Sequence, residues 1–171
     1  MSKDWVQDVY STIKKLDIQQ VAYVPDAGHS QLITLCDADP DIHSVSLTTE
    51  EEGVAMLGGA WLGGHKAMML IQSSGVGNCI NMLALIQECR MPFLVIVTMR
   101  GEWGEFNPWQ CPMGQSTQAA LEGAGVFVVR ADDPDDIPET VRASALLAFN
   151  SNRAVAVLIG QRVLGIKDFN K

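Results

Sequence analysis

Residues 67–78 read Ala67-Met68-Met69-Leu70-Ile71-Gln72-Ser73-Ser74-Gly75-Val76-Gly77-Asn78. The five leading residues are apolar without alternation, and a run so short, closed by serine and glycine, reads as a strand buried on both faces. Residues 93–97 (Phe93-Leu94-Val95-Ile96-Val97) and 155–159 (Val155-Ala156-Val157-Leu158-Ile159) are of the same kind. Shorter strand-like runs stand at 21–24, 45–48 and 126–129. Between them, apolar positions recur with a helical period: Trp5, Val6, Val9, Tyr10, Ile13 and Leu16 define a helix over 4–16. Further helices are expected at 30–35, at 50–62, from the Ser-Gly turn to about 89, shortly after 115 and at 134–149. Alternation of helices with fully apolar strands specifies an α/β fold: a doubly wound, mostly parallel six-stranded sheet with helices on both faces. No linker, repeat or low-complexity tract interrupts it, so residues 1–171 are expected to form a single domain. Ligands of such sheets gather at the carboxyl ends of the strands, which directs attention to the loops at 25–29, 48–52, 73–78 and 99–115.

Composition narrows the function. Twenty acidic against twelve basic residues give a net charge of −8 and a pI near 4.7, a field that repels nucleic acid and anionic membrane alike. A small anionic ligand then needs a local cluster of donors. Cys36, Cys79, Cys89 and Cys111 form neither a C-x-x-C pair nor a metal-ligand spacing, as expected of free thiols in a reducing cytoplasm. The N-terminus lacks the pattern of a signal peptide, and every apolar run is interrupted well short of a membrane span. A cytoplasmic protein is the expectation.

Four segments carry candidate chemistry. Thr49-Glu50-Glu51-Glu52-Gly53 places carboxylates at the tip of a parallel strand, although acids in the first turn of a helix also serve its dipole. The helix that follows contains Gly58, Gly59, Gly63 and Gly64; interior glycines cost about 1 kcal/mol each relative to alanine, which suggests close packing or, at the last two, a helix stop. Ser73-Ser74-Gly75-Val76-Gly77-Asn78 suits a tight turn or backbone approach to a ligand, but Ile80 stands where a dinucleotide loop needs its third glycine. The connection at 99–115 is long and holds Trp103 and Trp109, fitting either a ligand-binding or a partner-docking loop. His29, His43 and His65 are too dispersed for a metal site, and only His29 falls on a ligand-facing loop.

Taken in order, Val24-Pro25-Asp26, Glu50-Glu51-Glu52-Gly53, Leu70 through Asn78 with Ile80-Asn81, Arg100-Gly101 and Gln110-Cys111-Pro112-Met113-Gly114 carry a resemblance over nearly the whole chain. The sequence resembles the pyrimidine-binding domain of thiamine-diphosphate-dependent decarboxylases, most closely the sulfopyruvate decarboxylase alpha subunits and the corresponding half of phosphonopyruvate decarboxylases. The resemblance implies a glutamate that hydrogen-bonds N1′ of the aminopyrimidine and favours its imino tautomer. Counting back from Ser74-Gly75 assigns that role to Glu50, with Glu51 as the alternative. It further implies that Ser74, Gly75, Gly77 and Asn78 shape the cofactor pocket. Asp26, His29, Arg100 and Gln110 would then face the substrate, Arg100 gripping an oxyanion with its planar fork. Relatives often carry a basic residue where this chain has Gln115. A G-D-G motif followed by a later asparagine, through which relatives hold magnesium and diphosphate, is missing. A diphosphate-binding beta subunit carrying Mg2+ is therefore implied, in a hetero-oligomer with pyrimidine-domain dimer contacts. The expected reaction is 3-sulfopyruvate to sulfoacetaldehyde and carbon dioxide; phosphonopyruvate decarboxylation and a non-catalytic binding module are the alternatives.

Overall fold

The computed structural model describes residues 5–166. Asp4, expected to open the first helix, lies outside them. The chain runs α1 (Trp5–Lys15), β1 (Ile18–Tyr23), α2 (Ser30–Ala38), β2 (His43–Ser46), α3 (Glu50–Leu62), β3 (Lys66–Gln72), α4 (Ser73–Cys79) and α5 (Leu83–Cys89). It continues through β4 (Phe93–Thr98), a 3-10 turn (Pro108–Gln110), α6 (Cys111–Gly123), β5 (Phe127–Ala131), α7 (Ile137–Ser151), β6 (Ala154–Ile159) and α8 (Gln161–Leu164). All six strands are parallel, in the order β2-β1-β3-β4-β6-β5. The winding direction reverses between β1 and β3, where a doubly wound sheet opens a crevice.

The continuous apolar strands are apolar because both faces are covered. On β3, Met68 and Leu70 point into one core with Leu94, Ile96, Val155 and Val157, under α1, α2 and α7. Their alternates Ala67, Met69 and Ile71 enter a second core with Val95, Val97 and Leu158, under α3 to α6. On α1 the buried residues Val6, Val9 and Ile13 form one stripe, and Lys14 and Lys15 in the last turn complement the helix dipole.

Local departures from the sequence reading have physical causes. The second strand is His43–Ser46, two residues earlier than 45–48. Its polar residues were masked by edge position: β2 pairs on one side only, through Gln20↔His43 to Tyr23↔Ser46. Beyond Leu47, whose N–H still reaches the Tyr23 carbonyl, the Thr48 N–H is taken by Glu52 Oε2 and the chain leaves the sheet. Residues 73–78 are not a turn but the body of α4, despite two glycines. The packing expected of the α3 glycines holds at Gly58, where a Cβ would lie 3.2 Å from Met91 Sδ; at Gly59, apart from its chain neighbours and the backbone of its own helix, no described atom lies within 4 Å of the equivalent point. Gly64, at φ +85°, ends the helix. The long connection after β4 is shorter than expected, because α6 already begins at Cys111.

Candidate functional site

Three consecutive glutamates open α3, and the structure gives each a different task. Glu52 is exposed and accepts from the Thr48 backbone N–H at 2.9 Å. Glu51 accepts the Thr49 hydroxyl proton, a bond that lowers its pKa together with its own backbone N–H. Glu50 alone turns inward: it is only 7% exposed, and its Oε2 accepts from Asn78 Nδ2 at 2.7 Å. No hydrogen bond from the described residues reaches Oε1.

The floor beneath this carboxylate is Gly75. A Cβ there would lie 2.5 Å from the Glu50 carboxyl carbon and closer still to Oε1. Here the glycine is required by close approach, which accounts for its place inside a helix. Glu50, Gly75 and Asn78 are thus brought together across the α3–α4 contact, and Ser74 and Gly77 lie on the same helix, half-buried and exposed respectively. The neighbouring Cys79 thiol is pushed up to about 12 by burial, with the charges of Glu50 and Glu51 adding to it. It is a packing thiol.

The loop after β1 separates Asp26 from His29. Asp26 Oδ2 accepts from Thr98 Oγ1 at 2.6 Å and from the Gly28 N–H at 3.0 Å, which pins the loop to the end of β4. His29 corrects the expectation that it faces a ligand, for it has no exposed surface. Its Nε2 lies 3.2 Å from both the Ile71 and Ile96 carbonyls, so this nitrogen carries the proton. Burial lowers its pKa against the opposing pull of Asp26, and Nδ1 has no hydrogen-bond partner among the described residues. The ring braces β3 against β4 from behind the loop.

Asp26 and Arg100 line one cavity of about 260 Å³, walled in part by Trp5, Ser30, Phe106 and Leu164. Arg100 is 8% exposed, and its Nε and Nη2 donate to Glu105 Oε2 and Oε1, both at 3.0 Å. The fork expected to grip a substrate oxyanion is therefore already occupied within the protein. What this pair leaves for a ligand are the two N–H groups of Nη1 and the second N–H of Nη2. Glu105 also accepts from the N–H groups of Gly101 and Asn107, at 3.0 and 3.1 Å. Burial opposes ionisation of this carboxylate, but the Arg100 and backbone bonds prevail and hold its pKa at about 2. Gln115, in the place of a basic residue, donates to the Gly101 carbonyl at 2.8 Å. Gln110 is half-buried at the start of α6, and its enclosed Oε1 has no hydrogen-bond partner among the described residues.

Glu105 and Gln161 were not singled out by the sequence reading. Glu105 resembled any solvated acid on a long loop. Gln161 carried one readable signal, its position just beyond the last apolar strand at the carboxyl edge of the sheet. The depressed pKa of Glu105 makes an expectation with a definite sign. Folding stability from this carboxylate is fully present above about pH 4.5, its ordinary value, and is lost as pH falls towards about 2. Thermal melts of wild type and Glu105→Gln should differ at neutral pH and converge through that window. A constant difference would remove Glu105 as the anchor of the loop.

Among the described residues no group of three or more His, Cys, Asp or Glu side chains is placed to hold a metal ion, and no helix is long and apolar enough to cross a membrane.

No model of a protein family matches the sequence. The chain is 34% identical over 152 residues to the sulfopyruvate decarboxylase subunit alpha of Methanococcus maripaludis, covering 88% of this chain and 91% of that one. It is 36% identical over 117 residues to the phosphonopyruvate decarboxylase of Streptomyces viridochromogenes, covering 67% of this chain and 30% of the relative. A solved structure of a putative thiamin diphosphate-dependent enzyme from Mycobacterium smegmatis shares the fold, with a TM-score of 0.73 at 17% identity over 94% of this chain and 31% of that one. With an inward glutamate seated on a glycine at the sheet's carboxyl edge and a near full-length match to the archaeal subunit, the chain belongs to the family of sulfopyruvate decarboxylase alpha subunits, which are carboxy-lyase subunits.

Proposed function

We propose that this chain is the pyrimidine-binding subunit of a decarboxylase that converts 3-sulfopyruvate to sulfoacetaldehyde and carbon dioxide with thiamine diphosphate. The observation that carries the reading is the seat of Glu50, a nearly buried carboxylate with one oxygen held by Asn78 and the other open to a donor. That is the arrangement a protonated ring nitrogen requires, so the residues present fit the aminopyrimidine. When bound, thiamine diphosphate supplies the electron sink for the carbanion that loss of carbon dioxide leaves behind. Glu50 holds the proton at N1′ and biases the exocyclic amine towards its basic imino form. Asn78 keeps the carboxylate aimed, and Gly75, Gly77 and Ser74 leave room beside it. Asp26 and Arg100 Nη1 face the substrate from the cavity; Gln110, which does not line that cavity, would reach the substrate from the start of α6, and His29 supports them from within the fold.

The name of the Methanococcus maripaludis relative supports sulfopyruvate as substrate, and that of the Streptomyces viridochromogenes relative keeps phosphonopyruvate as the second reading. Both substrates are 2-oxo acids with an anionic tail, and Arg100 fits either. The chain has no G-D-G motif, so Mg2+ and diphosphate fall to a beta subunit, consistent with the relative's designation as subunit alpha. Four unpaired cysteines suit a cytoplasmic location and a single 1–171 domain without disulfide staples.

The chain by itself is expected to form no aldehyde from 3-sulfopyruvate with thiamine diphosphate and magnesium. Activity should appear when the cognate diphosphate-binding chain is added. Robust turnover by the isolated chain would overturn the two-subunit reading, and faster turnover of phosphonopyruvate by the complex would reassign the substrate.

A further inference from the structure

Gln161 is the first residue of α8, directly after β6 and Gly160, and is 4% exposed. Both ends of its side-chain amide are engaged. Oε1 accepts from the N–H groups of Glu102 at 2.8 Å and Trp103 at 3.0 Å, and Nε2 donates to Glu105 Oε2 at 3.0 Å. Its backbone N–H adds a longer bond to Glu102 Oε2 at 3.3 Å. One side chain thus ties the last strand to the loop that follows β4. The tie ends on the same oxygen that receives Arg100 Nε. Gln161 and Arg100 line the same cavity as Asp26.

We infer that Gln161 is a positioning residue: through Glu105 Oε2 and the Glu102 and Trp103 amides, it fixes the direction in which Arg100 presents Nη1 to the anionic tail of the substrate. The inference rests on the decarboxylase reading above. An amide is required because the position demands an acceptor at one end and a donor at the other. Methionine offers neither, and an ionised glutamate accepts but sets a second negative charge against Glu105. A protonated carboxyl group does both jobs, as the amide does. The charged groups around the position are Glu102, Glu105 and Arg100 on the loop, Arg130 on β5 paired with both Glu102 and Asp132, Asp26 across the shared cavity, and Arg162 on α8 itself. The three arginines keep their charge at any pH used with enzymes.

The test uses the assembled complex with its diphosphate-binding chain. Gln161→Glu should raise the KM for 3-sulfopyruvate about tenfold or more above neutral pH, with kcat changed by less than about threefold, the pattern of lost substrate binding. Exchange of the cofactor C2 proton, the province of Glu50, should not change. The ratio of variant to wild-type KM should then fall as pH falls, because burial and the Glu105 charge favour protonation of the introduced carboxyl group against the opposing pull of the Glu102 and Trp103 amides, and once protonated it donates again. Gln161→Met should raise KM with no such recovery. In the isolated chain, the same variant should speed hydrogen exchange at the Glu102 and Trp103 amides. A wild-type KM in Gln161→Met, or a pH-independent ratio in Gln161→Glu, overturns the inference. If the wild-type complex fails to decarboxylate 3-sulfopyruvate, the functional reading has failed instead, and unchanged amide exchange in Gln161→Met would separately overturn the positioning role.

Discussion

Glu50→Gln should leave the chain folded and able to assemble, yet lower kcat of the complex by about 100- to 10,000-fold, the usual cost of removing a positioned acid–base group. The amide is nearly isosteric, and Gly75 leaves the space beneath it unchanged. Asn78 can still be satisfied by the amide oxygen, so binding suffers little. What is lost is the proton-holding anion. Exchange of the C2 proton of bound thiamine diphosphate, followed by NMR after a deuterium pulse, isolates the step. Glu51→Gln and Glu52→Gln are matched controls, since those side chains are committed to Thr49 and to the Thr48 amide and should cost little. Impairment in Glu51→Gln with none in Glu50→Gln would move the assignment by one residue. No effect from any of the three would end the decarboxylase reading.

Gly75→Ala should be nearly as damaging, although it removes no chemical group. The added methyl would stand 2.5 Å from the Glu50 carboxyl carbon, so the carboxylate or helix α4 has to move. Alanine is the better helix former by about 1 kcal/mol, so local propensity favours the variant and any loss must come from crowding. Displacement of a catalytic group by about 1 Å can cost about 100-fold, and a fall in kcat of that order is expected in the complex. A double-mutant cycle decides whether the route is through Glu50. Because both changes act on one carboxylate, Gly75→Ala with Glu50→Gln should be little worse than the worse single variant. Multiplying effects would show that Gly75 matters for some other reason.

The central strands were legible because β3, β4 and β6 are buried on both faces and carry apolar residues through consecutive positions, with polar residues only at the ends, Lys66 and Gln72 of β3 and Thr98 of β4. β2 was displaced in the reading because an edge strand of only four residues, His43-Ser44-Val45-Ser46, has no such requirement. Helix α4 was misread for a deeper reason. Its glycines look like turn residues locally, but Gly75 answers to a carboxylate 25 positions away in the chain. Glu50 itself was picked out by its count from Ser74-Gly75; the differing commitments of Glu51 and Glu52 that support the choice are three-dimensional. Arg100 was found as a cation but not as one already engaged, since Glu105 joins it only through the fold of the loop. Buried His29 was indistinguishable in sequence from a ligand-facing one.

The strand order also has a consequence for how the chain is made. Among the described residues β5 pairs with β6 alone, while β6 lies between it and β4. During synthesis β1, β2, β3 and β4 can assemble as they emerge, but β5 has to wait without a hydrogen-bonding neighbour while α7 is translated. Only when residues 154–159 arrive can they slide in beside β4 and, in the same event, recruit β5. Until then the β4 edge, among the most apolar surfaces of the chain, stands open to pairing with the wrong strand. The last strand to be born is the one that seals the sheet, so ribosome-bound chains ending before residue 154 should be the form most dependent on chaperones.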